Sequence, residues 1–194
     1  MERINLPIEF WENEYRGNYN DYLESEQEVI RYQQIAKIIK KKPVHKELLD
    51  LGCGVGTMEK YLPPEISVTG IDISEKAIEI AVNKHGGKYY KANVESYVPR
   101  KKYDIILFNE SLYYFSNAKA TVERYKKYLK NKGNIILSIY HPYVGHKYYN
   151  IFENLINDVI NWDYDVVDHI TINFEALRWE IICLHPPKYK EKIL

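Results

Sequence analysis

Three glycines on alternate positions, Gly52, Gly54 and Gly56, lie between a short apolar segment and an amphipathic one. Glycine adopts positive φ angles without steric penalty and lets the backbone approach a ligand closely. At a turn from a buried strand into a helix, the free amides of the helix N-terminus are also directed at that ligand. The loop therefore predicts an α/β fold whose first strand-to-helix turn binds a nucleotide or a related cofactor.

Short apolar segments alternate with longer amphipathic ones along the chain, which predicts a parallel sheet covered by helices on both faces. The predicted strands are 47–51, 67–73, 88–94, 103–109 and 134–140, and the predicted helices are 57–62, 74–84, 117–130 and 148–160. Two further strands, 165–174 and 177–185, are joined by a tight turn and form an antiparallel hairpin. We therefore expect a Rossmann-like, doubly wound, mostly parallel seven-stranded sheet.

The first 42 residues differ from this pattern and form a predicted helical extension. Segment 26–40 carries apolar residues partly on one face, acids toward its start and lysines toward its end, which favours a helix. Pro43 then ends that helix. Because the chain has no internal repeat and no flexible linker, we expect residues 1–194 to be a single domain, with a helical cap (1–42) and a cofactor-binding core (43–194).

Composition narrows the function classes. The chain of 194 residues has 27 Lys and Arg against 27 Asp and Glu, so no overall positive field attracts nucleic acid or anionic membranes. It begins without an apolar secretory signal, and its apolar runs are too short to span a bilayer. Two cysteines and scattered histidines do not have metal-ligand spacing. We expect a cytoplasmic protein with no metal and no nucleic-acid or membrane partner.

The spacing of the glycines separates two kinds of nucleotide site. A dinucleotide fingerprint has G-x-G-x-x-G spacing, whereas here the third glycine is Gly56 and the dinucleotide position is Thr57. No Gly-Lys-Ser/Thr follows, so a Walker loop is not indicated either. Asp72, at the end of the second predicted strand, comes twenty residues after Gly52 and is placed to accept hydrogen bonds from ribose hydroxyls.

This combination resembles the class I S-adenosylmethionine-dependent methyltransferases over roughly residues 47–142. In that family an acidic residue, here Asp50, precedes G-x-G-x-G, and another acidic residue ends the second strand. The resemblance implies S-adenosylmethionine as cofactor, with the glycine loop around its methionine part, Asp72 on its ribose and Ile73 against its adenine. The family often has aspartate where Asn93 stands, and asparagine keeps an acceptor oxygen for the adenine amine. The implied cofactor-binding residues are Asp50, Gly52, Cys53, Gly54, Gly56, Asp72, Ile73, Asn93, Val94 and Asn109.

The methyl acceptor is expected at the carboxyl end of strand 103–109, where Glu110, Tyr113 and Tyr114 follow. Methyl transfer from a sulfonium is an in-line displacement, so positioning and desolvation supply most of the catalysis and a base is needed only for a protonated acceptor. Glu110 is the candidate base and Tyr113 a second catalytic candidate, while Tyr114 would wall the site. The alternative role of Glu110 is a stabilising acid at a helix start.

Residues 110–114 further resemble the small bacterial nodulation N-methyltransferases, which act on an amino sugar. The Asn-Pro-Pro-Tyr motif of nucleic-acid amino methylases is absent, because Glu110 and Ser111 follow Asn109. His141 leaves the fifth predicted strand toward the same edge and is another candidate base, although a hydrogen-bonded loop histidine is the alternative.

The extension is rich in aromatic residues, and its part of the chain commonly caps the cofactor in this family. Our hypothesis is a lid in which Tyr15 and Tyr19 help to bind the acceptor and offer cation–π contact to the sulfonium. A helix packed on the sheet edge through the same rings is the alternative.

We therefore expect methyl transfer from S-adenosylmethionine to a nitrogen or oxygen atom of a small molecule. The alternatives are a nucleotide-dependent oxidoreductase and a non-catalytic cofactor-binding partner subunit.

Overall fold

The computed structural model describes residues 3–17, 19–41 and 46–187, and these form one seven-stranded sheet with helices on both faces. The strands are β1 (Glu47–Leu51), β2 (Ser67–Asp72), β3 (Lys88–Lys91), β4 (Tyr103–Asn109), β5 (Leu129–Tyr140), β6 (Asp165–Phe174) and β7 (Leu177–His185). The helices are α1 (Ile8–Arg16), α2 (Tyr19–Leu23), α3 (Glu26–Lys40), α4 (Glu75–His85), α5 (Ala118–Lys126) and α6 (Tyr149–Ile160). Two short 3-10 helices cover Thr57–Tyr61 and Leu112–Tyr114.

The strand order is β3-β2-β1-β4-β5-β7-β6. Strands β1 to β5 pair in parallel, and β7 lies antiparallel between β5 and β6. The predicted Rossmann-like sheet with its C-terminal hairpin is therefore confirmed. The chain winds outward from β1 on one side and from β4 on the other, so the carboxyl ends of β1 and β4 form the switch point at which such folds bind ligands.

Each face of the sheet is buried under helices. On one face, α3 places Ile35 and Ile39 in a core with the β-strand residues Leu48, Ile105 and Ile181. The opposite face packs against α5 and α6 through a second core, which includes Val122 and Leu155. Because α3 covers one face of the sheet, this part of the extension belongs to the core packing of the fold.

The structure corrects several predicted boundaries. The helix predicted over 117–130 ends at Lys126, because Leu129 already pairs with Tyr103 and opens β5, and the register shifts between Tyr103 and Ile105. The third strand ends at Lys91 rather than at residue 94, because the backbone turns at Asn93, whose carbonyl accepts from the amides of Ser96 and Tyr97.

The structure also differs from the sequence-based prediction in and around the N-terminal extension. Segment 57–61 is a 3-10 helix, and α1 and α2 were not predicted as separate helices. The predicted stop at Pro43 and the boundary between cap and core lie outside the described residues. No helix in the described part of the chain combines the length and the apolar character needed to cross a bilayer.

Candidate active site

A cavity of about 290 Å³ lies at the carboxyl ends of β1, β2 and β4, under α1 and α2. It has the position expected for a ligand site in an open α/β sheet. Most of the predicted site residues meet there. Those lining the cavity are Tyr15, Tyr19, Gly52, Cys53, Gly54, Asp72, Ile73, Asn93, Val94, Asn109, Glu110, Tyr113 and Tyr114.

The glycine loop leaves no room for side chains where it borders the cavity. Gly52 has a φ of +82°, and a Cβ atom there would lie 2.5 Å from the Cβ atom of Ser111. Gly54 has a φ of +54°, and its Cβ atom would lie 2.9 Å from the hydroxyl oxygen of Tyr15. Left-handed backbone and close approach together explain why glycine is required at both positions.

The carboxylate of Asp72 holds the glycine loop against the end of β2. It accepts hydrogen bonds from the backbone N–H groups of Gly54 and Ser74, both at 2.9 Å. Burial raises the pKa of Asp72 above its ordinary value, although these two backbone donors oppose the shift. Asp72 therefore braces the loop from a position on the cavity wall, and its predicted contact with the ribose stays a prediction.

Asp50 lies buried at the end of β1 beneath the same loop. Burial, and after it the neighbouring Asp72, raises the pKa of Asp50 to about 7. Its Oδ1 atom has no hydrogen-bond partner among the described residues. A buried carboxylate oxygen without a donor, beneath a loop whose bare backbone at Gly52 and Gly54 borders the cavity, fits a cofactor that carries an amine and hydroxyl groups.

The predicted adenine-binding residues form a turn after β3. The Asn93 Oδ1 atom, predicted to meet the adenine amine, accepts from the backbone N–H of Glu95 at 2.8 Å. The Val94 carbonyl accepts from the hydroxyl of Tyr125 at 2.7 Å. A carboxamide oxygen has two lone pairs, so Asn93 keeps one for a ligand.

Glu110 is the hub of a hydrogen-bond network at the end of β4, where its backbone has a φ of +55°. Its Oε1 atom accepts from the Ser138 hydroxyl at 2.6 Å. Its Oε2 atom accepts from the Tyr113 hydroxyl at 2.9 Å and from the backbone N–H of Tyr140 at 3.0 Å. Burial raises the pKa of Glu110, while the charge of Arg31 opposes the shift.

Sequence reasoning missed an ion pair that α3 inserts into this network. Arg31 donates to Glu28 from Nε, at 3.1 Å, and from Nη2, and both side chains are only 2% exposed. The Nη1 atom of Arg31 donates to Oδ1 of Asn109 and lies 3.5 Å from the hydroxyl oxygen of Ser138. Burial alone would lower the pKa of Arg31, but Glu28 raises it above its ordinary value.

A signal for this pair was present in the sequence. Glu28 and Arg31 lie three residues apart, and with Ile35 and Ile39 they recur at the spacing of one helix face. Charged residues in phase with an apolar face predict buried charges, which need a partner in the fold.

Aromatic side chains from α1 and α2 cover the cavity. Trp11 packs edge-on against Tyr114, with ring centroids 5.0 Å apart, and Tyr15 against Tyr19 at 5.5 Å. The Glu12 carboxylate accepts from the N-terminal amides of α4, from Glu75 at 2.7 Å and from Lys76 at 3.2 Å. The cover is therefore attached to the sheet layer through rings on one side and a helix N-terminus on the other.

With this geometry in place, comparison with known proteins identifies the family. Residues 22–180 match the family described as "Methyltransferase domain". The chain belongs to this methyltransferase family. The predicted class, the class I S-adenosylmethionine-dependent methyltransferases, and the predicted cofactor are thereby confirmed, and the oxidoreductase alternative falls away.

Two curated relatives match about half of the methyltransferase chain. Malonyl-[acyl-carrier protein] O-methyltransferase 2 of Ilyobacter polytropus is 32% identical over 100 residues, which cover 48% of this chain and 39% of that protein. Ribosomal RNA small subunit methyltransferase C of Buchnera aphidicola is 31% identical over 120 residues, which cover 55% of this chain and 37% of that protein. The matched segments thus span about two fifths of these relatives.

Among solved structures, the methyltransferase resembles the N-methyltransferase NodS of Bradyrhizobium japonicum in complex with S-adenosylhomocysteine. The TM-score is 0.80 at 16% identity, and the similarity covers 93% of this chain and 98% of that one. At this identity the likeness establishes the shared fold.

Three predicted site residues do not line the cavity of the methyltransferase. Asp50 lies beneath the loop, and Gly56 begins the 3-10 helix, where a Cβ atom would lie 2.7 Å from the Tyr89 hydroxyl oxygen. His141 lies outside the cavity because its backbone N–H bonds to the Arg178 carbonyl, which continues the β5–β7 pairing. Its ring stacks on Tyr149, with Nε2 2.6 Å from a carboxylate oxygen of Glu153.

The candidate bases of the methyltransferase are therefore not equivalent. Glu110 and Tyr113 line the cavity and are hydrogen-bonded to each other, whereas His141 contacts α6. The described residues contain no group of three or more His, Cys, Asp or Glu side chains arranged to hold a metal ion.

Proposed function

We propose that this methyltransferase transfers a methyl group to a nitrogen or oxygen atom of a small-molecule acceptor bound beside Glu110. The observation that carries the proposal is the hydrogen-bonded pair of Glu110 and Tyr113, which lines the same cavity as the glycine loop. Methyl transfer to a protonated acceptor requires a proton acceptor close to the bound cofactor, and here Glu110 and the glycine loop line one cavity.

The chain's own groups provide a route for the acceptor's proton. When bound, S-adenosylmethionine supplies a methyl group on a positively charged sulfur. The Tyr113 hydroxyl oxygen takes the proton that the acceptor atom loses, while its own proton passes along the existing hydrogen bond to Oε2 of Glu110. Glu110 thereby ends neutral, a change that its burial favours.

The charges around Glu110 favour an amine acceptor over a carboxylate. Of the two arginines that line the cavity, Arg31 is already engaged by the buried carboxylate of Glu28, and Arg3 pairs with Glu95. A carboxylate acceptor beside Glu110 would therefore meet a like charge, while both of these arginines already pair with glutamates. The rings of Trp11 and Tyr114 line the same space and suit a positively charged amine.

RNA is the second candidate acceptor, favoured by the similarity to a ribosomal RNA methyltransferase. Against it stands the equal number of basic and acidic residues, 27 of each, which provides no overall positive field for a polyanion. The aromatic cover formed by α1 and α2 also suits a small acceptor better than a base presented by a large folded RNA.

The test is methyl transfer from radiolabelled S-adenosylmethionine to four acceptor sets: small primary amines, matched alcohols, matched carboxylates and purified ribosomal RNA. The variant is Glu110→Gln, and the matched control is Glu79→Gln, an exposed glutamate of α4 that pairs with Lys76. We expect label in amines, loss of at least about 100-fold in kcat for Glu110→Gln, and wild-type rates for the control. Labelling of RNA or carboxylates alone, or full activity of Glu110→Gln, would contradict the proposal.

A further inference from the structure

Arg31 is a buried cation that reaches from the extension into the cavity wall. It lies on α3, is 1% exposed, and is one of the residues that line the cavity. We propose that Arg31 is a positioning residue of the methyl-transfer site, which fixes the Asn109 carboxamide so that its NH2 group serves the bound cofactor. The inference rests on the proposed function, because it concerns the same site.

The chemistry of the guanidinium decides which way Asn109 points. Arginine has five N–H donors and no acceptor, so only the oxygen of a carboxamide can face it favourably. Nη1 of Arg31 does donate to Oδ1 of Asn109. The Nδ2 amide is then the end of this cavity-lining side chain that is left to donate to a bound molecule. Arg31 thus makes position 109 a hydrogen-bond donor toward the cavity.

Glu28 holds the guanidinium in place. Its Oε2 atom accepts from both Nε and Nη2 of Arg31, and its Oε1 atom accepts from the Tyr22 hydroxyl at 3.0 Å. The helix that carries the pair is itself anchored, since Ile35 and Ile39 are buried against the sheet. A guanidinium held by two bonds on an anchored helix has little rotational freedom, which is what a positioning group needs.

The same guanidinium supports the Glu110 end of the site. Nη1 lies 3.5 Å from the hydroxyl oxygen of Ser138, and that hydroxyl donates to Oε1 of Glu110 at 2.6 Å. Arg31 therefore stands between two carboxylates, Glu28 and Glu110, and shields one from the other. Without it, the charge of Glu28 would act on Glu110 with no opposing cation between them.

The pair also divides the extension into two parts. Helix α3 is fixed to the core by buried ionic and apolar contacts, so the lid hypothesis applies only to α1 and α2. The extension thereby contributes a residue to the site instead of only covering it.

A double-mutant cycle on cofactor binding tests the inference without knowledge of the acceptor. The probe is S-adenosylhomocysteine, titrated calorimetrically into wild type, Arg31→Met, Asn109→Ala and the double variant. If Arg31 acts through Asn109, each single variant weakens binding about tenfold and the double variant is no weaker than Asn109→Ala alone. A merely structural role of Arg31 would instead give additive losses, about 100-fold in the double variant.

Matched variants separate positioning from stability. Arg178→Met removes another arginine–glutamate pair, in which the arginine is half-exposed, on β7 and outside the cavity, and should leave the affinity unchanged. Arg31→Lys keeps the charge but lacks the planar fork of a guanidinium. It should therefore be more stable than Arg31→Met but should bind S-adenosylhomocysteine no more tightly. If Arg31→Met does not fold, the cycle is run with Arg31→Lys. Wild-type affinity of the Arg31 variant, or additive losses, would overturn the inference alone, whereas failure of the wild type to bind the probe would overturn the proposed function as well.

Discussion

Replacing Gly52 by alanine tests whether the glycine loop is shaped by close packing. The substitution lowers the free energy of unfolding in two separable ways. Alanine at a φ of +82° is strained by about 1–2 kcal/mol. Its Cβ atom would also lie 2.5 Å from the Cβ atom of Ser111, well inside the normal carbon–carbon contact distance of about 3.5–4.0 Å. Such overpacking destabilises a fold by about 1–3 kcal/mol.

Gly86 provides the matched control for the backbone strain. It ends α4 with a φ of +65°, and a Cβ atom there would meet nothing within 4 Å. Gly86→Ala should therefore lose only about 1–2 kcal/mol in free energy of unfolding, and Gly52→Ala about 2–5 kcal/mol.

Urea denaturation of both variants provides the comparison, together with the double variant Gly52→Ala/Ser111→Gly. The double variant should be less destabilised than the two single losses added, because Ser111→Gly removes the atom that the new methyl group meets. Equal stabilities of Gly52→Ala and Gly86→Ala would refute the packing argument.

Three further predictions concern Asp104 at the start of β4, the packing of α1 over the cavity, and the proton route through Tyr113. Asp104 accepts from the amides of Lys46 and Glu47 and from Lys130, and these bonds hold its pKa below the ordinary 3.8 although burial opposes them. Asp104→Asn should lower the free energy of unfolding by about 1–3 kcal/mol at neutral pH, and urea titrations should show that this deficit shrinks as the pH falls below that ordinary value. Glu12→Gln weakens the contact of α1 with the N-terminus of α4, so trypsin should cleave this variant at Arg16 faster than it cleaves the wild type. In the wild type, S-adenosylhomocysteine should slow the same cleavage. Equal resistance with and without the ligand would contradict the lid hypothesis. Tyr113→Phe should lower kcat for methyl transfer by about 100-fold with unchanged affinity for S-adenosylhomocysteine, and weakened binding would count against a role in proton transfer.

The core of the fold was predictable because its signals are local. Alternating apolar and amphipathic segments predicted the strands, and the G-x-G-x-G spacing of Gly52, Gly54 and Gly56, with Asp72 after the second strand, supported the family resemblance that implied the cofactor. These signals depend on backbone geometry that a few residues determine by themselves.

The errors arose where distant residues decide the outcome. Leu129 joins a strand because it pairs with Tyr103, more than twenty residues away in the chain. His141 follows the pairing of β5 with β7 and turns toward α6, although its place after a strand predicted the cavity edge. The sequence did not predict that Arg31 contacts Asn109 at the end of β4 for the same reason, since 78 residues separate the two.

Calorimetric titration of S-adenosylmethionine tests most directly whether the cavity under α1 and α2 is the cofactor site. The titration uses wild type, Asp72→Ala, and Asp165→Asn as an exposed control at the start of β6. We predict saturable binding of one cofactor per chain, unchanged in the control and weakened by at least about tenfold in Asp72→Ala, because the glycine loop loses its brace. Absence of binding to folded wild type, or equal affinity of the Asp72→Ala variant, would contradict this assignment of the cofactor site.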